Sequence, residues 1–306
     1  MINAVPLNCQ PMQKQAKNMP QVIEELRPGQ SIELLKELHI LTREGRLNQD
    51  TRRKLKQVYH LYQFIEPLMT DVLKSKTAFT LADHGAGKSY LGFILYDLFF
   101  NVAQAQHQTA DQRQGHIYGV ETRPELVEKS KALAARLGFG RMSFLNASVQ
   151  QSATSIDLPD RIDIVTALHA CDTATDDAIA FGLTKHAQHM VLVPCCQAEV
   201  AGVLKKSKAL NLTRTPLAEL WRHPLHTREF GSQITNVLRC LQLEANGYDV
   251  TVTELVGWEH SMKNELILAS KPQVATPAKT RAAQARLPQV LNELGLETLQ
   301  QRFVNN

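Results

Sequence analysis

The stretch Leu81-Ala82-Asp83-His84-Gly85-Ala86-Gly87-Lys88-Ser89-Tyr90 decides the fold. Thr77–Ala82 before it is a short apolar run of strand length, and Ser89–Phe100 after it reads as a helix. Length arbitrates between the two where periodicity cannot. A strand that enters a helix through small residues opens an alternating α/β unit. Glycines let the backbone turn tightly and approach a ligand closely. The amides at the start of the helix then face that ligand.

Outward from this turn the alternation continues. His116–Val120, Met142–Leu145, Arg161–Leu168 and His189–Val193 read as strands, with helices over Pro124–Leu137 and Thr175–Ala187 between them. This order implies a Rossmann-like, doubly wound, mostly parallel sheet covered on both faces. Gln233–Ala245 reads as a further helix. Val250–Val256 and Glu265–Ala269 read as a closing pair of strands that brings an antiparallel strand to the edge. The chain therefore divides into three parts: a helical N-terminal extension over 1–76, an α/β domain over 77–270, and a linker with a C-terminal helix over 271–306. In the extension, Ser31 caps a helix over Ile32–Leu38. A second helix runs from Asp50 or Thr51 to about Leu73, where Pro67 is placed to kink it. In the tail, Leu287, Val290, Leu291, Leu294 and Leu299 recur at helical spacing, which predicts a helix docked on the body.

Composition narrows the class. The 306 residues suffice for about two domains of ~150 residues each. No apolar run reaches the ~18 residues of a membrane span, and no basic start followed by an apolar run marks a secretory signal. The five cysteines, Cys9, Cys171, Cys195, Cys196 and Cys240, are odd in number and hold no CxxC pair. Neither a disulfide framework nor a zinc site is expected, and a cytoplasmic location is. The net charge of +4 permits an anionic partner without requiring one. Basic residues cluster at Arg43, Arg46, Arg52, Arg53, Lys54 and Lys56, and again at Lys205, Lys206, Lys208, Arg214, Arg222 and Arg228. Each cluster alone reads as a solvated surface.

The glycine loop admits three readings. Gly87-Lys88-Ser89 supplies the Lys and hydroxyl of a phosphate loop, but Ala82 stands where its first glycine belongs. The strand at Arg161–Leu168 also ends without a magnesium-binding acid. A dinucleotide loop lacks its third glycine, since Tyr90 occupies that place. The third reading is a loop for S-adenosylmethionine. Asp83 would accept from the amino-acid end of the cofactor, while Gly85 and Gly87 make room for its methionine portion. An acid at the end of the next strand should take the ribose diol, and Glu121 stands there. The alternative for Glu121 is an acid favoured ahead of the helix at Pro124. The cofactor reading is preferred. Its binding set is Asp83, His84, Gly85, Ala86, Gly87, Glu121, Thr122, Arg123, Ala147, Ser148 and His169.

Two further strand ends carry polar and sulfur groups: Ala167-Leu168-His169-Ala170-Cys171-Asp172 and Val193-Pro194-Cys195-Cys196-Gln197. Carboxyl ends of strands converge on the ligand crevice in a doubly wound sheet. Together with Asp83–Lys88, these segments resemble a class I methyltransferase-domain family. That family includes the ribosomal-RNA-adenine-dimethylase-domain-containing protein and the glutathione S-transferase C-terminal-domain-containing protein. Its members show an Asp-x-Gly-x-Gly-Lys loop, a Leu-His-Ala-Cys-Gly segment and a Pro-Cys-Cys segment, and Asp172 stands here in place of the usual glycine. Lys263-Asn264-Glu265 is similar to the family's C-terminal end. The resemblance covers about residues 75–270 and implies the fold and the cofactor while leaving the acceptor open.

The candidate catalytic residues are His169, Cys171, Asp172, Cys195 and Cys196. A cysteine pair at these strand ends could act as nucleophiles on an RNA base, as in cytosine-C5 methyltransferases. The preferred alternative is tight packing of small soft side chains, because the flanking residues do not match those enzymes. His169 could position an acceptor, remove a proton or simply hold the strand end. Asp172 could cap the helix after it or touch the acceptor. Trp221, Arg222, His223 and Arg228 form a candidate substrate segment, with Trp221 to stack a base and the arginines to hold phosphates. Its alternative is a surface turn with Trp221 and Phe230 packed inward. The function expected is methyl transfer from S-adenosylmethionine, with RNA as the preferred acceptor, no metal and no membrane. A cofactor-binding scaffold and a phosphate-loop protein are the alternatives.

Overall fold

A computed structural model describes residues 25–102, 114–168, 172–194, 197–207, 215–255 and 265–304. The N-terminal part holds α1 (Ile32–Glu37) and α2 (Gln49–Ser75). Ser31 caps α1 through its side chain, which accepts from the Leu34 amide. Asn48 and Thr51 form a reciprocal capping box at α2, each side chain accepting from the other's amide at 2.9 Å. Pro67 lies inside α2, and the helix continues through it. The carbonyl of Gln63, four residues earlier, loses its partner to the proline ring, but Gln63 is exposed and water can replace it.

Seven strands follow: β1 (Phe79–His84), β2 (Gly115–Glu121), β3 (Met142–Asn146), β4 (Ile164–Leu168), β5 (His189–Val193), β6 (Asp249–Glu254) and β7 (Glu265–Ser270). Their spatial order is β3-β2-β1-β4-β5-β7-β6. The first five are parallel, and β7 runs antiparallel between β5 and β6. The expected closing pair is present, with its second strand innermost. Strand order reverses between β1 and β4, so the crevice lies above their carboxyl ends. At the opposite ends, Asp163 accepts from the Thr80 amide at 2.9 Å and its hydroxyl at 3.0 Å, which sets the β1–β4 register.

The connecting helices are α3 (Tyr90–Tyr96), α4 (Pro124–Leu137), α5 (Val149–Ala153), α6 (Thr173–Thr184), α7 (Glu199–Ser207) and α8 (Pro224–Ala245). On one face of the sheet, Tyr62, Ile65 and Met69 of α2 and Phe93 of α3 share an apolar cluster with Phe144 and Val191. On the other face, Phe181 and Leu243 pack with Ala82, Val165, Met190 and Ile267. The apolar run after β1 does not end as a plain helix. It passes into a π-helical turn at Asp97–Asn101, where fully buried Asp97 accepts from the Ser31 amide at 3.1 Å and from Asn101 at 2.8 Å. That bond pins α1 to the domain.

The tail forms α9 (Pro277–Glu293), a short 3-10 turn and α10 (Gln300–Phe303). It packs on α7 and α8 as a third apolar cluster. The start of α8 corrects the expected helix start at Gln233. Pro224 at the helix N-terminus begins α8 nine residues before the expected Gln233, since proline is pre-organised for that position. Among the described residues, no helix is long and apolar enough to cross a membrane.

Candidate functional site

The site begins where β1 stops. The strand continues to His84, two residues past the expected Ala82, so Asp83 and His84 are strand residues and the turn is Gly85–Ser89. Its backbone is left-handed at Gly85 (φ 63°), Gly87 (φ 58°) and Ser89 (φ 53°), which is why glycines recur here. Three turn amides are consumed internally. Ala86 N–H donates to the Val120 carbonyl at 3.1 Å, Gly87 N–H to Glu121 Oε2 at 2.7 Å and Ser89 N–H to the Ala86 carbonyl at 2.7 Å. Ser89 is buried, and its hydroxyl lies 2.9 Å from where a Cβ on Gly119 of β2 would stand. A phosphate loop needs those amides and that hydroxyl turned outward. This turn is therefore unsuited to a triphosphate.

The two carboxylates of the site are tuned in opposite directions. Asp83 is 2% exposed, and its partner is the Thr166 hydroxyl of β4, which donates to Oδ1 at 2.7 Å. Burial raises its pKa to about 7 against that single hydrogen bond. Glu121, at the end of β2, accepts from the Gly87 amide, the Arg123 amide at 3.1 Å and the Arg123 guanidinium at 2.9 and 3.2 Å. Burial pushes the Glu121 carboxyl up, but these donors outweigh it and hold the pKa at about 2. Glu121 is thus an ionised acceptor at any ordinary pH. A vicinal diol can exchange with the half-exposed Arg123 side chain as its donor.

His84 is fully buried against Phe181, ring centroids 4.1 Å apart. Burial lowers its pKa to about 3, so it stays neutral. Among the described residues, neither ring nitrogen has a hydrogen-bond partner. Thr122 is exposed, its hydroxyl 3.3 Å from Glu121. Ala147 N–H donates to the Glu121 carbonyl at 3.2 Å. Ser148 caps α5 in a box with Gln151. Two residues that the sequence reading passed over hold the site. Thr166 is the partner of Asp83, and Asn146 donates to the Glu121 and Thr122 carbonyls at 3.0 and 2.9 Å. Their signal was present as polar residues within or at the end of otherwise apolar strands.

His169, Cys171, Cys195 and Cys196 lie outside the described residues, as do Lys208, Arg214 and Lys263-Asn264. Asp172 is described and precedes α6, yet its side chain makes no bond to that helix. Its Oδ1 instead accepts from the amides of Ala198 at 2.9 Å and Glu199 at 3.2 Å, capping α7 across the sheet. Trp221 packs edge-on to Phe230, 5.5 Å between centroids, within the tail-bearing cluster. Arg222 pairs with Glu219 at 3.1 Å and Arg228 with Glu229 at 2.9 Å. His223 is exposed and faces His226 at 5.2 Å between rings.

Residues 53–203 match a family model described as a methyltransferase domain. No curated protein matches the chain. Among solved structures, the chain is similar to magnesium protoporphyrin IX methyltransferase from Synechocystis with bound SAH. The identity is 16%, the TM-score is 0.43, and 79% of this chain and 96% of that one are covered. It is also similar to an rRNA methylase from Streptococcus thermophilus, with 10% identity, TM-score 0.39, and 66% and 93% covered. For fibrillarin from Aeropyrum pernix with S-adenosyl-L-methionine, the values are 12%, 0.36, and 63% and 67%. At those scores the three likenesses carry no argument about the acceptor. The family match, on a seven-stranded sheet of this order with an acid at the end of β2 and a glycine turn after β1, identifies the chain as carrying an S-adenosylmethionine-dependent methyltransferase domain.

Proposed function

We propose that this chain methylates RNA, with the cofactor held between Asp83 and Glu121. When bound, S-adenosylmethionine supplies an electrophilic methyl group, which passes to the acceptor nucleophile as the carbon–sulfur bond breaks. Asp83 would receive the cationic amino group, Glu121 the ribose hydroxyls, and the turn at Gly85–Gly87 the methionine chain. The residue chemistry fits: among the described residues one carboxylate is buried beside a single hydroxyl with no counter-charge, and the other is held fully ionised. Rate would come chiefly from alignment of methyl carbon and acceptor.

The observation that carries the RNA acceptor is the basic run Arg43, Arg46, Arg53 and Lys56, all exposed on the α1–α2 elbow and the first turns of α2, beside Arg52, which pairs with Glu25 at 2.9 Å. Each phosphate contact releases counterions, so binding should weaken steeply with salt. The segment at Trp221–Arg228 supports RNA less well, since both arginines are paired with carboxylates. Transfer of labelled methyl from S-adenosylmethionine to total cellular RNA and protein fractions tests the reading. Label in RNA that falls with added salt, and with Arg43→Glu/Arg46→Glu/Arg53→Glu, supports it. Label in protein alone moves the acceptor to a side chain. Cofactor binding with no label in any fraction leaves a scaffold.

Gly119 offers a separate check on the cofactor side. A Cβ there would stand 2.9 Å from both Ser89 Oγ and Phe144 Cδ1. Gly119→Ala must push the turn off β2 and is expected to cost about 1–3 kcal/mol of stability. Calorimetry should show cofactor affinity reduced about tenfold or more. Unchanged affinity would detach the turn from the cofactor.

A further inference from the structure

Glu121 carries more donors than a carboxylate has room for. Its Oε1 accepts from the Arg123 amide at 3.1 Å, from Arg123 Nε at 2.9 Å and from the Thr122 hydroxyl at 3.3 Å. Its Oε2 accepts from the Gly87 amide at 2.7 Å and from Arg123 Nη2 at 3.2 Å. Among the described residues these are five donors, against the roughly four lone-pair sites of a carboxylate. A vicinal diol that donates to Glu121 must therefore displace some of them. The Gly87 and Arg123 amides are main chain, fixed by the glycine turn and by the start of α4. The Thr122 hydroxyl is a long contact from an exposed residue. The Arg123 guanidinium is the group that both blocks the carboxylate and can leave it.

The placement of that guanidinium widens the conflict. The Glu121 side chain is 8% exposed and that of Arg123 is 59% exposed, so the guanidinium lies on the solvent side of the carboxylate. A Cβ on Gly87 would stand 3.7 Å from Arg123 Nη2, so the same group also overhangs the glycine turn. One side chain thus covers both the acid and the turn. Arg123 is the N-cap residue of α4, yet its side chain makes no capping bond to that helix. It can swing into water without unwinding α4. A charge-assisted fork is a strong hydrogen-bonded pair, but exposure and salt bring this one within reach of exchange.

We propose that Arg123 competes with the cofactor for Glu121 instead of holding the cofactor, and so sets how strongly the site prefers a ribose with both hydroxyls. The inference rests on the reading that Glu121 takes the ribose hydroxyls. A diol reaches Glu121 only in exchange for the charged fork, which reduces the net gain from its hydroxyls. A ligand without those hydroxyls leaves the fork in place. Removal of the guanidinium therefore strengthens binding of the diol ligand more than that of the deoxy ligand. The sign is opposite to that expected of a residue that binds the cofactor.

The probes are 5′-methylthioadenosine, which is uncharged and carries the diol, and its 2′,3′-dideoxy analogue. Each is titrated by calorimetry into the full chain at pH 8, far above the ordinary glutamate range. The diol preference is the dissociation constant of the analogue divided by that of 5′-methylthioadenosine. Arg123→Met keeps the length of the side chain and loses its charge and donors. The preference should rise about fivefold or more in that variant over the native chain. Arg123→Lys keeps the charge without the fork and should fall between the two. Glu121→Ala should abolish the preference. Effects of the deoxy sugar itself are common to all the chains and cancel in the comparison. Equal preference above one in the native chain and Arg123→Met, abolished by Glu121→Ala, would overturn the competition and leave the ribose reading standing. A preference near one in every chain would overturn both. S-adenosylhomocysteine should bind Arg123→Met at least as tightly as the native chain. If it bound about fivefold more weakly while 5′-methylthioadenosine bound both alike, the guanidinium would be a ligand of the methionine carboxylate and the competition would fall.

Discussion

Asp83→Asn should melt several degrees higher than the native chain at pH 8 and bind S-adenosylmethionine at least about tenfold more weakly. The argument starts from burial. Asp83 is 2% exposed with a single hydroxyl donor among the described residues, and its pKa stands at about 7 in the fold against 3.8 in a free chain. The folded chain therefore binds a proton between those values that the unfolded chain does not. The stability associated with that proton is full below pH 3.8 and is lost as pH rises toward 7. The loss can reach about 4 kcal/mol, at 1.36 kcal/mol per pKa unit. Asparagine has no charge to bury and can still accept from Thr166, so the variant should lack this decline. The two melting curves should converge near pH 4, separate as pH rises toward 7, and stay apart above it. The same carboxylate, if it receives the cationic amino group, must ionise when the cofactor binds. Native binding should then strengthen as pH rises through about 7 and release a proton there. Calorimetry in two buffers of different ionisation enthalpy reads that proton directly. Equal cofactor affinity in the variant and the native chain would remove Asp83 from the site.

This trade of stability for a charge without a counter-charge explains why part of the site was legible in the sequence. Asp83, Gly85, Gly87 and Glu121 stand out because no packing rule asks for an acid at two successive strand ends beside glycines. The sheet was legible for a similar reason. Short apolar runs alternating with helical patterns leave few other topologies. What stayed hidden was cross-strand. Thr166 and Asn146 become site residues only once β4 lies beside β1 and β3 beside β2. Asp172 reads locally as a cap for the helix after it, yet a left-handed φ turns its carboxylate to α7, 26 residues on. Arg239 is the clearest case. In sequence it is one basic residue on an amphipathic helix, and only the closed fold makes it a fully buried fork. The length of β1 was misjudged because Asp83-His84 looks polar, whereas the pairing with Gly119 and Val120 carries the strand through both.

Removal of residues 277–306 should leave a chain that no longer keeps α7 and α8 in place, seen as loss of soluble monomer and a collapsed melting transition. Leu287, Leu291, Leu294, Leu296, Leu299 and Phe303 are buried against Val200, Leu204, Leu238 and Leu241. At about 1.5–3 kcal/mol for each buried side chain, the gross contribution is on the order of 10 kcal/mol. The truncated chain no longer has to order the tail, so the net loss is smaller. The uncovered face of α7 and α8 is nevertheless a contiguous apolar patch of the kind that drives association. Phe303→Ala isolates the packing without the truncation and should cost about 3–5 kcal/mol in a denaturant titration. The consequence reaches the site. Arg302 pairs with Glu199 at 2.8 Å, and the amide of that same Glu199 is capped by Asp172. The tail and the β4 end thus hold the first turn of α7 from opposite sides. Loosening either should raise hydrogen exchange at Ala198 and Glu199 before it raises exchange in β1 or β2. A truncated chain that stays monomeric, melts as the full chain does and keeps those two amides protected would show that the tail is peripheral and that the cap at Asp172 suffices alone.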